Sequence, residues 1–202
     1  MLYNLSFEKM NLVIVDYKAG NVQSVLFALE RLGVQATLSA DFETIQSADK
    51  VIFPGVGEAS SAMAQLKSRN LHQLLPTLEQ PFFGVCLGMQ LLCEHSEEGD
   101  TDLLGIIPLQ VKRFQTELKV PHMGWNQLEQ LQSPLFEGLP EQEYVYYVHS
   151  YYVPMSEYTI AQTAYPEPFS AAVRYKNFYA AQFHPEKSGP AGAQILKNFL
   201  AL

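Results

Sequence analysis

Basic residues are scarce in this chain of 202 residues, which carries 13 lysines and arginines against 21 aspartates and glutamates. The formal net charge is −8, and no run of lysine and arginine forms a basic stretch. Proteins that bind nucleic acid normally present a basic face to the phosphates. The composition therefore disfavours a nucleic-acid binder.

Cysteine is equally rare, with Cys86 and Cys93 as its two occurrences. Two thiols do not make a disulfide framework in a chain of this length, and their spacing of seven residues (93 minus 86) lies outside zinc-ligand patterns. We expect a reducing, cytoplasmic setting, with Cys93 as a packed core residue. The histidines at positions 72, 95, 122 and 149 also lack a metal-ligand spacing, so the sequence predicts no metal and no cofactor.

Long hydrophobic runs are missing as well, since no apolar stretch reaches the roughly 18 to 20 residues of a bilayer-spanning helix. The N-terminus lacks a cationic segment followed by an apolar core, which argues against a signal peptide. With 48% hydrophobic and 17% charged residues, the chain is expected to form one soluble domain with a sizeable core. Because an apolar strand begins soon after Met10, residues 1–9 are predicted to be an N-terminal extension and residues 10–202 the domain.

Strands and helices alternate through the first half of the sequence. Apolar runs predict strands at 12–15, 35–38, 51–53 and 81–85, with helices at 22–32 and 60–78. The second half reads as strands at 110–114, 127–130, 145–153, 158–164, 171–175 and 178–183, followed by a helix at 192–200. This order predicts an α/β fold with an open, mostly parallel, twisted sheet, helices on both faces and antiparallel strands added in the second half.

A sharp turn from strand to helix is predicted at Gly84-Val85-Cys86-Leu87-Gly88. The glycines two residues before and after Cys86 lack Cβ, so the chain can bend sharply and a substrate can approach the backbone. A thiol at this turn lies over a helix N-terminus, whose partial positive charge favours the reactive thiolate. We interpret Cys86 as a nucleophile; the alternative is a small, buried apolar residue.

The tripeptide His184-Pro185-Glu186 follows a strand-like run and is the candidate for the base. Histidine readily accepts a proton near neutral pH, Pro185 stiffens the turn, and Glu186 is placed to fix the imidazole tautomer. Cys86 and His184 are 98 residues apart (184 minus 86), so only a fold that returns the chain to one sheet edge can join them. By itself such a tripeptide is more often a surface turn.

Together these motifs resemble the class I (triad) glutamine amidotransferases, and the similarity extends over residues 11–202. The segment from Gly84 to Gln90 is similar to the nucleophile motif of the family, and His184-Pro185-Glu186 to its second signature. Phe53-Pro54-Gly55-Val56-Gly57 is similar to the loop that helps to form the oxyanion hole. The resemblance implies a flavodoxin-like fold and the hydrolysis of L-glutamine.

The resemblance also implies a role for each matching position. Cys86, His184 and Glu186 would form the catalytic triad. The backbone N–H groups of Val56 and Leu87, with Gly55 and Gly57 beside them, would form the oxyanion hole. Gln90, Gly88, Ser150 and Tyr151 would hold the glutamine.

Three further segments resemble, within this family, the glutaminase subunits of imidazole glycerol phosphate synthases. They are Asp16-Tyr17 with Gly20-Asn21, Pro121-His122-Met123-Gly124-Trp125-Asn126, and Tyr146-Tyr147-Val148-His149-Ser150-Tyr151. The first segment departs from the pattern because Lys18 stands where a small residue, commonly glycine, is expected. This departure bears on the local loop conformation.

This second resemblance implies a heterodimer with a separate cyclase subunit that folds as a (β/α)8 barrel. The cyclase would use the ammonia to make imidazole glycerol phosphate and an aminoimidazole carboxamide ribotide in histidine biosynthesis. The oxyanion hole of the isolated chain is then expected to be incomplete. Positions that resemble the partner interface are Trp125, Asn126, Tyr146, Lys187 and Asn21; the alternative is a core tryptophan, a strand tyrosine and solvated polar residues.

Two other classes stay open on the sequence alone. One is the glutaminase subunit of another amidotransferase, of the anthranilate, aminodeoxychorismate or pyridoxal phosphate type, against which the segments 121–125 and 146–151 argue. The other is a non-catalytic domain of the same fold. The presence of Cys86, His184 and Glu186 argues against this second alternative.

Overall fold

The computed structural model describes residues 10–18 and 21–202. The predicted extension, residues 1–9, and Gly20 of the first family segment lie outside the described residues. The strands are β1 (Leu12–Val15), β2 (Ala36–Ser39), β3 (Lys50–Gly55), β4 (Phe82–Cys86), β5 (His95–Ser96), β6 (Thr101–Asp102), β7 (Gln110–Arg113), β8 (His122–Gln127), β9 (Tyr144–His149), β10 (Tyr151–Tyr152), β11 (Thr159–Ala164), β12 (Pro168–Tyr175) and β13 (Phe178–Ala181). The helices are α1 (Val22–Arg31), α2 (Phe42–Gln46), α3 (Ala59–Ser68), α4 (Leu71–Leu74), α5 (Leu87–Leu91) and α6 (Gly189–Ala201), with 3₁₀ turns at Leu75–Thr77, Pro134–Phe136 and Pro185–Lys187.

A seven-stranded sheet forms the centre of the domain, in the order β11-β12-β13-β4-β3-β1-β2. The strands from β13 to β2 in this order run parallel, and β12 and β11 extend the sheet through two successive antiparallel pairings. The predicted α/β class is confirmed, including antiparallel strands that come from the second half of the chain. Because β13 pairs with β4, the chain does return to one sheet edge despite the long separation in sequence.

The central parallel strands are apolar on both faces because helices cover both. In β1, Leu12 and Ile14 belong to one hydrophobic core, whereas Val13 and Val15 belong to the other. Helices α1 and α6 contribute to the first core, and α3, α4 and α5 to the second. Burial on both sides explains why these strands read as continuous apolar runs instead of alternating patterns.

Two strand predictions in the second half are wrong in their boundaries. The predicted strand 145–153 is two strands, β9 and β10, which belong to different sheets and separate at Ser150. The predicted strand 127–130 coincides with β8 only at Gln127, and the backbone turns at Gln130, where φ is +54°. In the first case the valine and tyrosine residues continue on both sides of the point at which the chain changes its pairing partner.

The predicted helix 60–78 is also interrupted. Its break lies at Asn70, whose φ of +57° is in the left-handed region that ends helices. The pieces on either side are α3 and α4, which still bury their apolar residues in the same core. No helix in the described parts of the chain is long and apolar enough to cross a membrane.

Two smaller sheets, β10-β7-β5-β6 and β8-β9, complete the fold. Strand β9 is attached to the end of the central sheet because the His184 N–H donates to the Tyr146 carbonyl oxygen at 2.9 Å. The Tyr146 N–H in turn donates to the Ser188 hydroxyl at 2.9 Å. These two bonds fix the β8–β9 ribbon against the segment that carries His184 and Glu186.

Candidate active site

Cys86 lies at the junction of β4 and α5 in a rare backbone conformation, with φ of +55° and ψ of −110°. Such a conformation is strained for a residue with a side chain and persists only where the surroundings enforce it. The enforcement is visible at the flanking glycines. A Cβ on Gly84 would lie 2.9 Å from the Gly88 carbonyl oxygen, and a Cβ on Gly88 would overlap the Phe53 carbonyl oxygen.

Three loops converge at the carboxyl ends of adjacent parallel strands. Gly55, at the end of β3, is in register with Cys86 at the end of β4. On the other side of β4, Ala181 of β13 is in register with Val85, and His184 follows three residues later. Ligands of open α/β sheets bind at this end of the strands.

A cavity of about 310 Å³ opens at this edge. Its lining consists of Val56, Gly57, Cys86, Leu87, Gln90, Glu98, Pro121, Val148, His149, Ser150, Tyr151 and His184. The volume lies at the lower end of the about 300–1,000 Å³ typical of small-molecule sites. A ligand the size of an amino acid suits such a space.

His184, which lines the cavity, is paired with Glu186. The His184 Nδ1 lies 2.8 Å from Glu186 Oε1, and both side chains are almost fully buried. Burial by itself lowers the pKa of His184, but Cys86 and Glu186 outweigh it and raise this pKa to about 10. His184 Nε2 has no hydrogen-bond partner among the described residues, so this nitrogen is available to a substrate or to the Cys86 thiol.

Among the described residues, Val148 and Gln182 make weak polar contacts with the Cys86 sulfur. It lies 3.9 Å from the Val148 carbonyl oxygen and 3.8 Å from the side-chain nitrogen of Gln182. Gln182 is fully buried and belongs to none of the sequence motifs. The signal that could have revealed it is a lone amide in an apolar run, two residues before His184.

Gln90 lines the cavity as predicted, but its amide nitrogen is engaged within the protein. This nitrogen donates to the Tyr151 carbonyl oxygen and to Gln182 Oε1, both at 2.9 Å. Gln90 therefore fixes the segment of Ser150 and Tyr151, which also lines the cavity. Its glutamine-binding role stays a prediction.

The predicted oxyanion and glycine positions divide into two groups. Val56, Gly57 and Leu87 line the cavity, whereas Gly55 and Gly88 do not. The latter two glycines permit close packing instead, since a Cβ on Gly55 would lie 2.6 Å from the Gly88 nitrogen. Gly57 has a φ of +104°, a conformation that favours glycine.

Glu98 is a cavity residue that the sequence patterns did not reveal. It is the single carboxylate in the cavity lining given by the described residues, and its Oε2 accepts a hydrogen bond from the Ala59 N–H at 2.8 Å. Burial, together with nearby Glu58, raises the pKa of Glu98 in spite of that hydrogen bond. It lies in an acidic stretch, residues 94–102, where the spacing of the carboxylates does not distinguish a site residue from the others.

The positions predicted for a partner interface include a surface aromatic cluster. Trp125 is 55% exposed, so it is not a core tryptophan, and its ring meets Tyr146 edge-on with centroids 6.0 Å apart. The Lys187 ammonium lies 5.9 Å from the Tyr146 ring centroid. Asn21 instead caps α1, where its side-chain oxygen accepts from the Ser24 N–H at 3.4 Å.

The departure at Lys18 has a backbone explanation. Lys18 has a φ of +61°, in the left-handed region where glycine is preferred. Its N–H is held by the Asp16 carboxylate at 3.0 Å, which stabilises the turn. The lysine thus adopts the turn at a cost of about 1–2 kcal/mol.

Cys93 lies in the hydrophobic core, as predicted. Cys93 is fully buried, which raises the pKa of its thiol. Across residues 10–18 and 21–202, no group of three or more His, Cys, Asp or Glu side chains is arranged to hold a metal ion.

Comparison with known proteins gives a consistent family. A family model described as class I glutamine amidotransferase matches residues 13–202. The chain is 57% identical over 196 residues to the imidazole glycerol phosphate synthase subunit HisH of Bacteroides thetaiotaomicron, covering 96% of this chain and 100% of that protein. The subunit HisH of Idiomarina loihiensis is 49% identical over 195 residues, covering 96% and 98%.

Solved structures agree in fold. A putative GMP synthase subunit from Thermoplasma acidophilum superposes with a TM-score of 0.74 at 20% identity, covering 95% of this chain and 93% of the other. The structure of PurLQS from Thermotoga maritima gives a TM-score of 0.69 at 14% identity, covering 95% and 98%.

Proposed function

The chain belongs to the class I glutamine amidotransferase family, and on this premise we propose that it is the glutaminase subunit of an imidazole glycerol phosphate synthase. The observation that carries the proposal is the meeting of the Cys86 elbow with the buried His184–Glu186 pair at one cavity. The high identity to HisH subunits over nearly the whole chain selects this synthase among the amidotransferases. We take residues 10–202 as the amidotransferase domain, working in the cytoplasm.

The proposed reaction begins when Cys86 gives its proton to His184 Nε2 and its sulfur attacks the side-chain amide carbon of glutamine. The raised pKa of His184 favours the imidazolium form, whose Nε2–H then protonates the departing ammonia. A glutamyl thioester remains on Cys86. His184 next activates a water that hydrolyses this thioester, releasing glutamate and restoring the thiol.

The oxyanion of each tetrahedral intermediate needs N–H donors near the sulfur. Leu87 supplies one from the N-terminal end of α5, and Val56, in the loop after β3, is the proposed second donor. Because Gly55 and Gly57 flank Val56, the peptide between them can turn at little steric cost. We propose that the partner subunit stabilises the productive orientation of the Val56 N–H.

The cavity also supplies a counter-charge for the amino acid part of glutamine. Ser150 and Tyr151 offer backbone groups, and Glu98 offers the carboxylate that a substrate ammonium group needs. We expect Glu98→Gln to raise the KM for glutamine about 10- to 100-fold, because a charge-assisted hydrogen bond contributes about 1.5–3 kcal/mol. The kcat should change little, since the carboxylate is distant from the reacting bond in this assignment.

Glutamine preserves the oxygen that accepts from the Ala59 N–H, so the variant tests the charge and not the cap of α3. Steady-state glutaminase assays of the complex with the cyclase subunit measure the effect. Glu43→Gln, an exposed carboxylate on α2, is the matched control. An unchanged KM in Glu98→Gln would remove Glu98 from the binding site.

The proposed partner is a cyclase subunit that receives the ammonia in a heterodimer. Trp125, Tyr146 and Lys187 support a docking surface there, because exposed Trp125 and Lys187 and half-buried Tyr146 form an aromatic and cationic cluster beside the segment that bears His184. Exposed tryptophan and tyrosine are typical of interface anchors.

The function is tested in a mixture of the chain with an imidazole glycerol phosphate cyclase subunit, by measuring glutamine hydrolysis with and without the ribotide substrate. We expect slow hydrolysis by the isolated chain and strong stimulation in the loaded complex. Stimulation by an anthranilate-type synthase subunit instead, or full activity without any partner, would contradict the assignment.

A further inference from the structure

Two buried histidines that the proposed reaction does not use lie side by side on β8 and β9. His122 and His149 are cross-strand neighbours, 4% and 6% exposed, and His122 Nδ1 lies 3.1 Å from His149 Nε2. At one end, His149 Nδ1 is 2.7 Å from the Tyr151 carbonyl oxygen. At the other, the side-chain nitrogen of Asn126 is 3.2 Å from His122 Nε2. These groups form a continuous chain of hydrogen bonds.

The donor and the acceptor of each hydrogen bond follow from the groups at the two ends of this chain of bonds. The Tyr151 carbonyl oxygen only accepts, so His149 carries a proton on Nδ1. The Asn126 amide is oriented to donate, because its Oδ1 accepts from the next backbone N–H at 2.8 Å and its nitrogen also donates to the Ala164 carbonyl at 3.1 Å. His122 therefore accepts on Nε2 and donates from Nδ1 to His149. Both rings are neutral Nδ1–H tautomers.

The surroundings keep both rings uncharged. Tyr165 and Tyr147 stack against His122, with ring centroids 4.0 and 4.8 Å away. Burial lowers the pKa of His122 to about 4 and that of His149 to about 3, the latter with a contribution from the charge of His184. These two tyrosines and His184 are titratable groups near the pair.

The chain of bonds continues into the cavity. The Tyr151 carbonyl oxygen accepts a second bond from Gln90, whose amide nitrogen also donates to Gln182, each at 2.9 Å. The amide nitrogen of Gln182 in turn lies 3.8 Å from the Cys86 sulfur. An unbroken series of polar contacts thus joins Asn126 on β8 to the nucleophile.

We propose that His122 and His149 are positioning residues for glutamine, which act by holding the Tyr151 carbonyl and, through it, the Gln90 amide. The proposal rests on the proposed glutaminase function. The bond from His149 fixes the position of a carbonyl in the cavity wall, and His122 prevents the His149 ring from rotating away. Loss of the donor from His149 leaves a buried carbonyl with one hydrogen bond fewer and a loosened binding segment.

The ring tautomers give a test that is independent of activity. We expect ¹⁵N NMR of the histidine-labelled chain to show two imidazoles protonated at Nδ1 that do not titrate between pH 5.5 and 8 (a window set above the lowered pKa values of about 4 and about 3). His122→Phe and His149→Asn assign the two signals. Nε2–H tautomers, or ordinary imidazole titration of either ring, would overturn the proposal.

The kinetic test compares two replacements of His149 in the complex with the cyclase subunit. His149→Leu removes the donor to Tyr151, whereas His149→Asn places an amide nitrogen close to the position of Nδ1. We expect the leucine variant to raise the KM for glutamine about tenfold with kcat within about threefold, and the asparagine variant to recover most of that loss. His72→Asn, on α4 and outside the cavity lining, is the matched control.

Equal KM values for both His149 variants, whether raised or unchanged, would overturn the positioning role. If the leucine variant does not fold, His122→Phe replaces it, because phenylalanine keeps the aromatic stack and removes both bonds of His122. A wild-type complex without glutaminase activity would refute the proposed function. In that case the ring tautomers measured by NMR would still show whether the chain of hydrogen bonds through His122 and His149 exists.

Discussion

Replacing Cys86 with alanine is expected to lower glutamine-dependent turnover of the complex by about 10⁴- to 10⁶-fold, the range seen when a nucleophile is removed from a catalytic triad. The remaining site can still bind glutamine and present N–H groups, but no group is left to form the thioester. Alanine at this position has the same Cβ as cysteine, so the positive φ of 55° adds no new strain. The measurement is glutamate release at saturating glutamine.

Two controls separate loss of the nucleophile from loss of the fold. Ammonia added as an ammonium salt bypasses glutamine hydrolysis, so under the proposed function product formation from ammonium salts should be the same in the Cys86→Ala complex and in wild type. Cys93→Ala alters the other thiol, which is fully buried in the core, and should leave turnover within about threefold. Wild-type glutamine hydrolysis by Cys86→Ala would disprove the nucleophile assignment.

The geometry around Cys86 was predictable because it is encoded locally. Gly84 and Gly88 allow the close approach of β4, α5 and β3, and both positions are crowded by backbone atoms in the structure. The proposed chemistry requires Cys86 and His184 to meet, but the sequence alone did not show how the fold brings them together. The parallel pairing of β13 with β4 brings the two residues to the same sheet edge. Neither strand contains a sequence signal for pairing with a strand so far away in the chain.

The second half was harder to predict because its strands change sheets. Residues 145–153 form one run rich in valine and tyrosine, yet β9 pairs with β8 while β10 pairs with β7. The change at Ser150 depends on contacts with distant residues. It also matters for the site, because the interruption places Ser150 and Tyr151 in the cavity wall.

The missed site residues share a physical cause. Gln182 and Glu98 are single polar groups whose importance comes from what lies opposite them in space. Gln182 bridges Gln90 and Cys86, and Glu98 faces the cavity while it caps α3. Residue type and spacing predict motifs, whereas these two residues belong to none.

Glu186→Gln is expected to lower kcat by about 10³- to 10⁴-fold, because the tautomer of His184 depends on this carboxylate. Glu186 Oε1 accepts from His184 Nδ1, and its Oε2 has no hydrogen-bond partner among the described residues. The amide of a glutamine at position 186 therefore has two unfavourable hydrogen-bonding arrangements. Either its NH₂ group remains buried without an acceptor, or it donates to Nδ1 and moves the imidazole proton to Nε2, where His184 can no longer accept from Cys86.

The same substitution has a pH signature in stability. Burial lowers the pKa of His184, but Cys86 and Glu186 raise it overall from 6.5 to about 10. A raised folded-state pKa stabilises the fold fully below the unfolded value, and this contribution is lost as pH rises through the folded value. The difference in unfolding free energy between wild type and Glu186→Gln should therefore be largest below pH 6.5 and shrink toward pH 10. Urea titrations at pH 6, 8 and 10 (spanning these pKa values) measure it, and a constant or growing difference would show that Glu186 does not hold the imidazolium.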